Sequence, residues 1–138
     1  MRYPARIKPD EDTWMVSFRD LPGVFSQGDS FEEARAHAVD ALETGLYFAA
    51  RDGDAIFAAS APRRGEVLIE TSISFDAKLL LLETMRGQNV RAKDLAVRLG
   101  ITPQEVTRLI DLRHRTKIDA IAAALNALGK RLELSLAA

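Results

Sequence analysis

Residues 92–109 read AKDLAVRLGITPQEVTRL, and this stretch decides the fold of the second half of the chain. Its apolar residues recur at helical spacing on both sides of Gly100, which can adopt the positive φ that ends a helix abruptly. Residues 102–105 (TPQE) restart a helix, because they place Thr at the N-cap, Pro at the first helical position and Glu at the third. Ala96 is small at the point where a second helix would cross the first. The stretch therefore predicts a helix-turn-helix, for which a plain helical hairpin is the simpler alternative.

If this motif binds DNA, its residues divide into base readers and phosphate contacts. Gln pairs bidentately with adenine and Arg with guanine in the major groove, so Gln104 and Arg108 are the predicted base readers. The helix start at Thr102, and Arg91 before the preceding helix, are predicted to hold phosphates. Residues 113–117 (RHRTK) offer three fixed cations without an acid, which favours clamping of the DNA backbone over a merely solvated loop. The predicted DNA-binding residues are Arg91, Thr102, Gln104, Thr107, Arg108, Arg113, Arg115 and Lys117.

The flanks of this motif read as two further helices and a strand. Asp76 is the predicted N-cap of a helix that ends near Gly87, and Thr116 is the predicted N-cap of the last helix. Residues 131–136 (RLELSL) alternate polar and apolar side chains, which predicts a short terminal strand. One helix-turn-helix reads few base pairs, and a lone strand has an unpaired edge. We therefore expect a homodimer or higher oligomer that forms through residues 131–136.

The first half alternates polar and apolar residues with the period of strands. Ser30 and Glu33 then form a capping box, which starts an alanine-rich helix whose apolar stripe runs from Phe31 to Phe48. The predicted strands span residues 2–8, 14–18, 24–27 and 67–75, and a loop spans 51–65. The order β-β-β-α-β predicts an α+β unit with one helix packed on a sheet. We place the domain boundary near Ser74, between domains 1–74 and 75–138.

The composition excludes several kinds of site. The 138 residues fit one ordinary domain or two small ones, and the lack of cysteine excludes disulfides and Cys-ligated metals. The two histidines, His37 and His114, lie far apart, and no phosphate-binding glycine loop or nucleotide fingerprint occurs. We therefore expect no metal, no cofactor and no catalytic residue. No apolar run reaches the ~18 residues of a membrane span, and the N-terminus has no signal peptide, so we expect a cytoplasmic protein without membrane contact.

The net charge of −1 hides a division between the two halves. Residues 1–70 hold 8 basic and 13 acidic side chains, whereas residues 71–138 hold 11 basic and 7 acidic ones. Opposite signs predict a basic partner for the first half and a polyanion for the second. The acids of the first half fall mostly in turns rather than on rigid strands, so a metal-dependent nuclease is the weaker interpretation.

Segments of both halves resemble the HicB antitoxin family, in the branch that carries a C-terminal helix-turn-helix. In the first half these segments are residues 3–5 (YPA), 14–23 (WMVSFRDLPG), 26–29 (SQGD) and 34–42. In the second half they are residues 104–109 (QEVTRL), 116–120 (TKIDA) and 127–130 (ALGK). Members of this family often use a ribbon-helix-helix instead, so the DNA-binding mode rests on the tail of this sequence itself.

The resemblance implies a partial ribonuclease-H-like fold for the first half, without the catalytic acids of a nuclease. It also implies a partner, the small basic toxin HicA, which cleaves mRNA using a histidine, and repression of the operon by the complex. The candidate toxin contacts are acids on the exposed side of the alanine-rich helix, Glu33, Asp40 and Glu43, although strand-edge residues serve equally well. The alternative function is a stand-alone transcriptional regulator that responds to a ligand.

Overall fold

The computed structural model describes residues 1–56 and 58–138. The chain forms two compact units, Met1–Ser72 and Ile73–Ala138. The first unit mixes strands with one helix, and the described secondary structure of the second is helical. The expected α+β class is confirmed.

Four antiparallel strands form one sheet in Met1–Ser72. They are β1 (Arg2–Asp10), β2 (Thr13–Phe18), β3 (Phe25–Gly28) and β4 (Val67–Glu70), in the spatial order β3-β2-β1-β4. Ile7 pairs with Val16, and Tyr3 with Ile69, so buried side chains of β1 face buried side chains of both neighbours. The predicted order of three strands, a helix and a strand is confirmed, and β3 and β4 are the two edges of this sheet.

One long helix, α1 (Phe31–Asp52), packs on the sheet. Ser30 caps it as predicted, because Ser30 Oγ accepts a hydrogen bond from Glu33 N at 3.1 Å. Its fully buried residues are Ala34, Ala38, Leu42 and Leu46. A Cβ at Gly28 would lie 2.4 Å from the backbone N of Ala34, so the glycine that ends β3 is required for α1 to approach this closely.

Four helices form Ile73–Ala138. They are α2 (Ile73–Gly87), α3 (Ala92–Leu99), α4 (Pro103–Ile110) and α5 (Ile118–Ala127). Each helix contributes to one apolar core, which includes the buried residues Leu81, Leu95, Val106 and Ile121. Burial of each such side chain stabilises the unit by about 1.5–3 kcal/mol, so the short helix α4 is held mainly by this core. Of the described helices, none combines the length and the apolar character that a bilayer span requires.

The segment between β4 and α2 differs from the sequence prediction. The strand ends at Glu70 rather than near Phe75, and α2 begins at Ile73 rather than after a cap at Asp76. Phe75 and Leu79 are both buried and lie one helical turn apart. The apolar spacing here therefore fits a helix as well as a strand, and the helical spacing prevails.

The last helix and the tail also differ from the prediction. Lys117, not Thr116, is the N-cap of α5, and no side chain caps this helix start. Residues 131–138 have no regular secondary structure, so the strand predicted at 131–136 is wrong for the single chain. A strand needs hydrogen bonds to a neighbouring strand, and no described strand pairs with this segment. Alternation of polar and apolar residues is not sufficient without such a neighbour.

Candidate macromolecule-binding surfaces

The turn between α3 and α4 is fixed by its backbone hydrogen bonds. Gly100 adopts φ 67°, and the N–H of Ile101 donates to Ala96 O at 3.1 Å. Thr102 and Glu105 close a capping box, in which Thr102 N donates to Glu105 Oε2 at 2.7 Å and Glu105 N donates to Thr102 Oγ1 at 3.2 Å. These bonds satisfy N–H groups that have no partner inside the helix. The direction in which α4 leaves the turn is therefore set by the local sequence.

The helix α4 is amphipathic, and Val106 and Leu109 hold its buried side. The predicted base readers, Gln104 and Arg108, are exposed. No described residue forms a hydrogen bond or an ion pair with either side chain, so both are free to contact a ligand. The predicted DNA-binding residues on the exposed side of this helix are Thr102, Gln104, Thr107 and Arg108.

Three predicted DNA-binding side chains are already engaged within the chain, and Thr102 is one of them, because its Oγ1 accepts a hydrogen bond from Glu105 N. Thr107 Oγ1 donates to Pro103 O at 3.0 Å, so its hydroxyl proton is used inside α4. Arg91 is the N-cap of α3, and its Nε lies 3.4 Å from Asp94 Oδ2. The backbone N–H of Arg91, with its guanidinium, holds the pKa of Asp94 below the usual value. Asp94 therefore offsets part of the positive charge that Arg91 would bring to a phosphate.

A cationic segment connects α4 to α5. Its members Arg113, Arg115 and Lys117 are exposed, and none has an ion-pair partner in the described part of the chain. Asp111 turns the backbone ahead of them, because its Oδ1 accepts a hydrogen bond from Arg113 N at 2.9 Å. The structure thus brings these three cations together just beyond the end of α4.

Lys78 is a buried cation that the sequence analysis missed. It lies on α2 with 1% of its surface exposed, and its Nζ donates to the backbone oxygens of Asp111 at 2.7 Å, Arg108 at 3.4 Å and His114. Burial lowers the pKa of the Lys78 ammonium, and the Asp111 carboxylate opposes that shift. The last carbonyls of a helix lack helical partners and carry partial negative charge. Lys78 therefore ties the end of α4 and the start of the cationic segment to α2.

The three predicted toxin contacts do not share one environment. Glu33 and Asp40 are exposed on α1, and Glu33 Oε1 lies 3.9 Å from His37 Nε2. Glu43 is half-buried, and its Oε1 accepts a hydrogen bond from Ser72 N at 2.9 Å. Glu43 therefore holds the chain that follows β4, and only Glu33 and Asp40 remain exposed among these three acids.

An open groove of about 650 Å³ runs between β3 and α1. Phe25 and Phe48 line it, and they are 63% and 39% exposed. Asp40 lines the same groove, and the Nδ1–H of His37 donates to Gln27 O at 2.8 Å beside it. The small side chains of α1 that complete this lining are Ala41, Thr44 and Gly45. The groove thus combines aromatic surface, a strand edge and a carboxylate.

A separate polar network holds the loop that precedes β4. Arg19 Nη2 lies 2.9 Å from Glu66 Oε1, and Asp20 accepts hydrogen bonds from Ser60 N and Ser60 Oγ, both at 2.7 Å. The Ser60 hydroxyl and N–H hold the pKa of Asp20 below its usual value, and Arg19 does the same for Glu66. Asp20 and Glu66 therefore stabilise the loop of this unit through Ser60 and Arg19. Across residues 1–56 and 58–138, no group of three or more His, Asp or Glu side chains is arranged to hold a metal ion.

The chain matches one family of known proteins over most of its first unit and beyond it. A family model described as the HicB-like antitoxin of bacterial toxin-antitoxin systems matches residues 2–80, which is more than half of the chain. The chain therefore belongs to the HicB-like antitoxin family. This is not an enzyme family, so the expectation that the chain is not an enzyme is confirmed.

Three curated relatives extend the match over both units. Antitoxin HicB 2 of Photorhabdus laumondii is 47% identical over 134 residues, which cover 97% of this chain and 95% of the relative. Antitoxin HicB of Escherichia coli K12 is 41% identical over 135 residues, with 97% and 98% covered, and that of Pseudomonas fluorescens is 31% identical over 137 residues, with 99% and 94% covered. The resemblance to the HicB antitoxin family is confirmed, and the likeness includes the region beyond residue 80.

Proposed function

We propose that this chain is an antitoxin that binds and masks a HicA-like, mRNA-cleaving toxin and represses transcription of its own operon. Membership of the HicB-like family supports the antitoxin role. The division of charge between the two units is the observation that supports two different macromolecular partners. Met1–Ser72 holds 8 basic and 13 acidic side chains, and Ile73–Ala138 holds 11 basic and 7 acidic ones. Each unit is thus complementary to a partner of the opposite sign.

The DNA-binding role is assigned to a helix-turn-helix made of α3 and α4. The fixed turn at Gly100 and the exposed first turn of α4 support this assignment, because a recognition helix presents its N-terminal residues to base edges. Gln104 and Arg108 read bases, and the hydroxyl of Thr102, whose oxygen accepts from Glu105 N, donates its proton to a phosphate. The Thr107 hydroxyl donates its proton to Pro103 O, and its oxygen can still accept a hydrogen bond from a base. Cationic contacts to the DNA backbone come from Arg91, Arg113, Arg115 and Lys117.

The toxin-binding role is assigned to the acidic unit Met1–Ser72, whose arrangement of strands and helix fits a partial ribonuclease-H-like fold. It covers the cationic RNA-binding face of the toxin and thereby excludes mRNA from the histidine of the toxin. Glu33 and Asp40 are exposed and remain contacts in this proposal, whereas Glu43 is the weaker candidate because it binds Ser72 N.

A homodimer is the third part of the proposal, because two helix-turn-helix units read a palindromic operator together. Leu134 and Leu136 are 75% and 101% exposed, which leaves apolar surface on the tail without cover in the single chain. Pairing of residues 131–136 with a second copy supplies the missing strand neighbour. Leu134→Asp should convert the dimer to a monomer in analytical ultracentrifugation.

The proposal predicts a gene for a small basic protein beside this one, and co-expression of the two proteins tests it. We expect the chain to rescue growth, to co-purify with that protein and to shift a fragment of its own promoter. A stand-alone, ligand-responsive regulator would shift the promoter but would have no such neighbour to neutralise. Rescue without any promoter binding would remove the repressor role and keep the antitoxin role.

A further inference from the structure

The β3 edge of the sheet presents aromatic surface to solvent. Phe25 on β3 and Phe48 on α1 are the large apolar side chains that stay exposed in the described part of Met1–Ser72, and both line the groove between these elements. Single apolar residues on a surface need no explanation. Two exposed aromatic rings in one concavity are typical of a docking site for another protein.

The backbone beside these rings is also unpaired. β3 pairs with β2 on one side, and none of the described strands pairs with its other side. Proteins usually protect such an edge with charged residues or proline, yet residues 25–28 (FSQG) contain neither. His37 covers the Gln27 carbonyl and leaves the Phe25 end of the edge open. This edge is therefore suited to accept a strand from a partner.

The charges around the groove select the kind of partner. Asp40 lines the groove, and Glu33 lies two turns earlier on the same helix. Arg51 is a cation beside the groove, 4.6 Å from the centre of the Phe48 ring, but its Nε lies 2.9 Å from Asp52 Oδ1, so its charge is paired. A second copy of this chain would place the same acids against each other, whereas a cationic segment would complement them.

We propose that the β3–α1 groove is the principal toxin contact: it receives an extended, cationic segment of the toxin, which adds a strand to the free edge of β3 and inserts an apolar side chain beside Phe25 and Phe48. This rests on the antitoxin function proposed above and names the surface that performs it. Aromatic anchors in a desolvated pocket carry most of the affinity of an interface, whereas rim charges mainly accelerate association. Phe25 and Phe48 therefore set the lifetime of the complex, and Asp40 and Glu33 set the rate at which it forms.

The test measures binding kinetics between the full chain and the basic protein encoded beside it, with the histidine of that protein replaced so that it is inactive. Phe25→Ser is the main variant, because an exposed edge side chain contributes little to the folded unit. We expect it to raise the dissociation rate about tenfold or more. Asp40→Asn should lower the association rate about two- to fivefold, and this effect should fade at high salt. Val97→Ser removes another exposed apolar side chain, from α3, and should change neither rate.

Hydrogen exchange provides a readout that does not depend on a variant. Bound toxin should slow exchange of the β3 amides, Phe25–Gly28, in the unmodified chain. If the chain binds the toxin while Phe25→Ser and Phe48→Ala bind at unchanged rates and β3 exchange is unaltered, the groove is not the contact and the antitoxin function stands. If the unmodified chain does not bind the toxin, the antitoxin function fails, and the groove proposal fails with it.

Discussion

The α3–α4 region and the β3–α1 region expose opposite kinds of chemistry. The first exposes polar and cationic side chains on a short helix whose ends are both fixed, by the Thr102–Glu105 capping box at its start and by Lys78 at its end. The second exposes aromatic rings beside an unpaired strand edge. Contacts to bases and phosphates depend on direction, whereas contacts between proteins depend on apolar area that loses water. In the roles proposed above, backbone geometry matters most for the α3–α4 region, and apolar surface matters most for the β3–α1 region.

Loss of Lys78 should have the largest effect, because Lys78 fixes the end of α4 and its loss lowers the stability of the unit. Lys78→Ala removes the cation that donates to the backbone oxygens of Arg108, Asp111 and His114, and we expect it to lower the free energy of unfolding by about 2–4 kcal/mol. The measurement is thermal unfolding followed by circular dichroism, together with hydrogen exchange of residues 111–117. Lys130→Ala, at an exposed position, is the matched control. Unchanged unfolding and unchanged exchange in Lys78→Ala would show that α4 is fixed without this cation.

Arg108 and Lys117 separate base reading from backbone clamping. Arg108→Ala should weaken binding to the promoter by about 1–3 kcal/mol and relax discrimination at one base pair. Lys117→Ala should weaken all sequences alike and reduce the salt dependence of binding by about one unit. Both are measured by fluorescence anisotropy on the native promoter and on single-base variants. Equal losses on every sequence for both variants would place Arg108 on the phosphates instead.

The smallest expected effect concerns pH and the Asp20–Ser60 contact. The folded unit holds the pKa values of Asp20 and Glu66 below their usual 3.8 and 4.5, so both carboxylates stabilise it above those values and lose that contribution as pH falls through the lower folded values. We expect the Tm of the chain to fall on acidification below about pH 4.5. Ser60→Ala should make this fall shallower, because the Ser60 hydroxyl is the main cause of the Asp20 shift. An identical pH profile in Ser60→Ala would contradict that cause.

Local signals made most of the fold predictable from the sequence. The turn at Gly100, the N-cap at Ser30 and the capping box at Thr102 are encoded within a few residues, and the structure forms each of them. The order of strands along the first half of the chain followed from period-2 alternation and turn residues. The strand predicted at residues 131–136 failed because pairing depends on a neighbour that the local pattern does not specify.

The groove and Lys78 lay beyond sequence reasoning because both depend on packing. Phe48 fits the apolar stripe of α1, and only the packed sheet shows that it lies at the edge of the covered surface. The sequence does show that Lys78 is a charged residue between Phe75 and Leu81 on the apolar side of α2, but it does not show what the ammonium binds. Its partners are backbone carbonyls more than 25 residues further along the chain, and no spacing rule identifies those.

The most direct test of the central claim is mRNA cleavage by the proposed HicA-like toxin, measured as the full-length chain is titrated in. A chain whose acidic unit masks the RNA-binding face of the toxin should bring cleavage to background once it is in excess, and added RNA should not restore it at moderate concentration. Undiminished cleavage in the presence of excess folded chain would contradict the account.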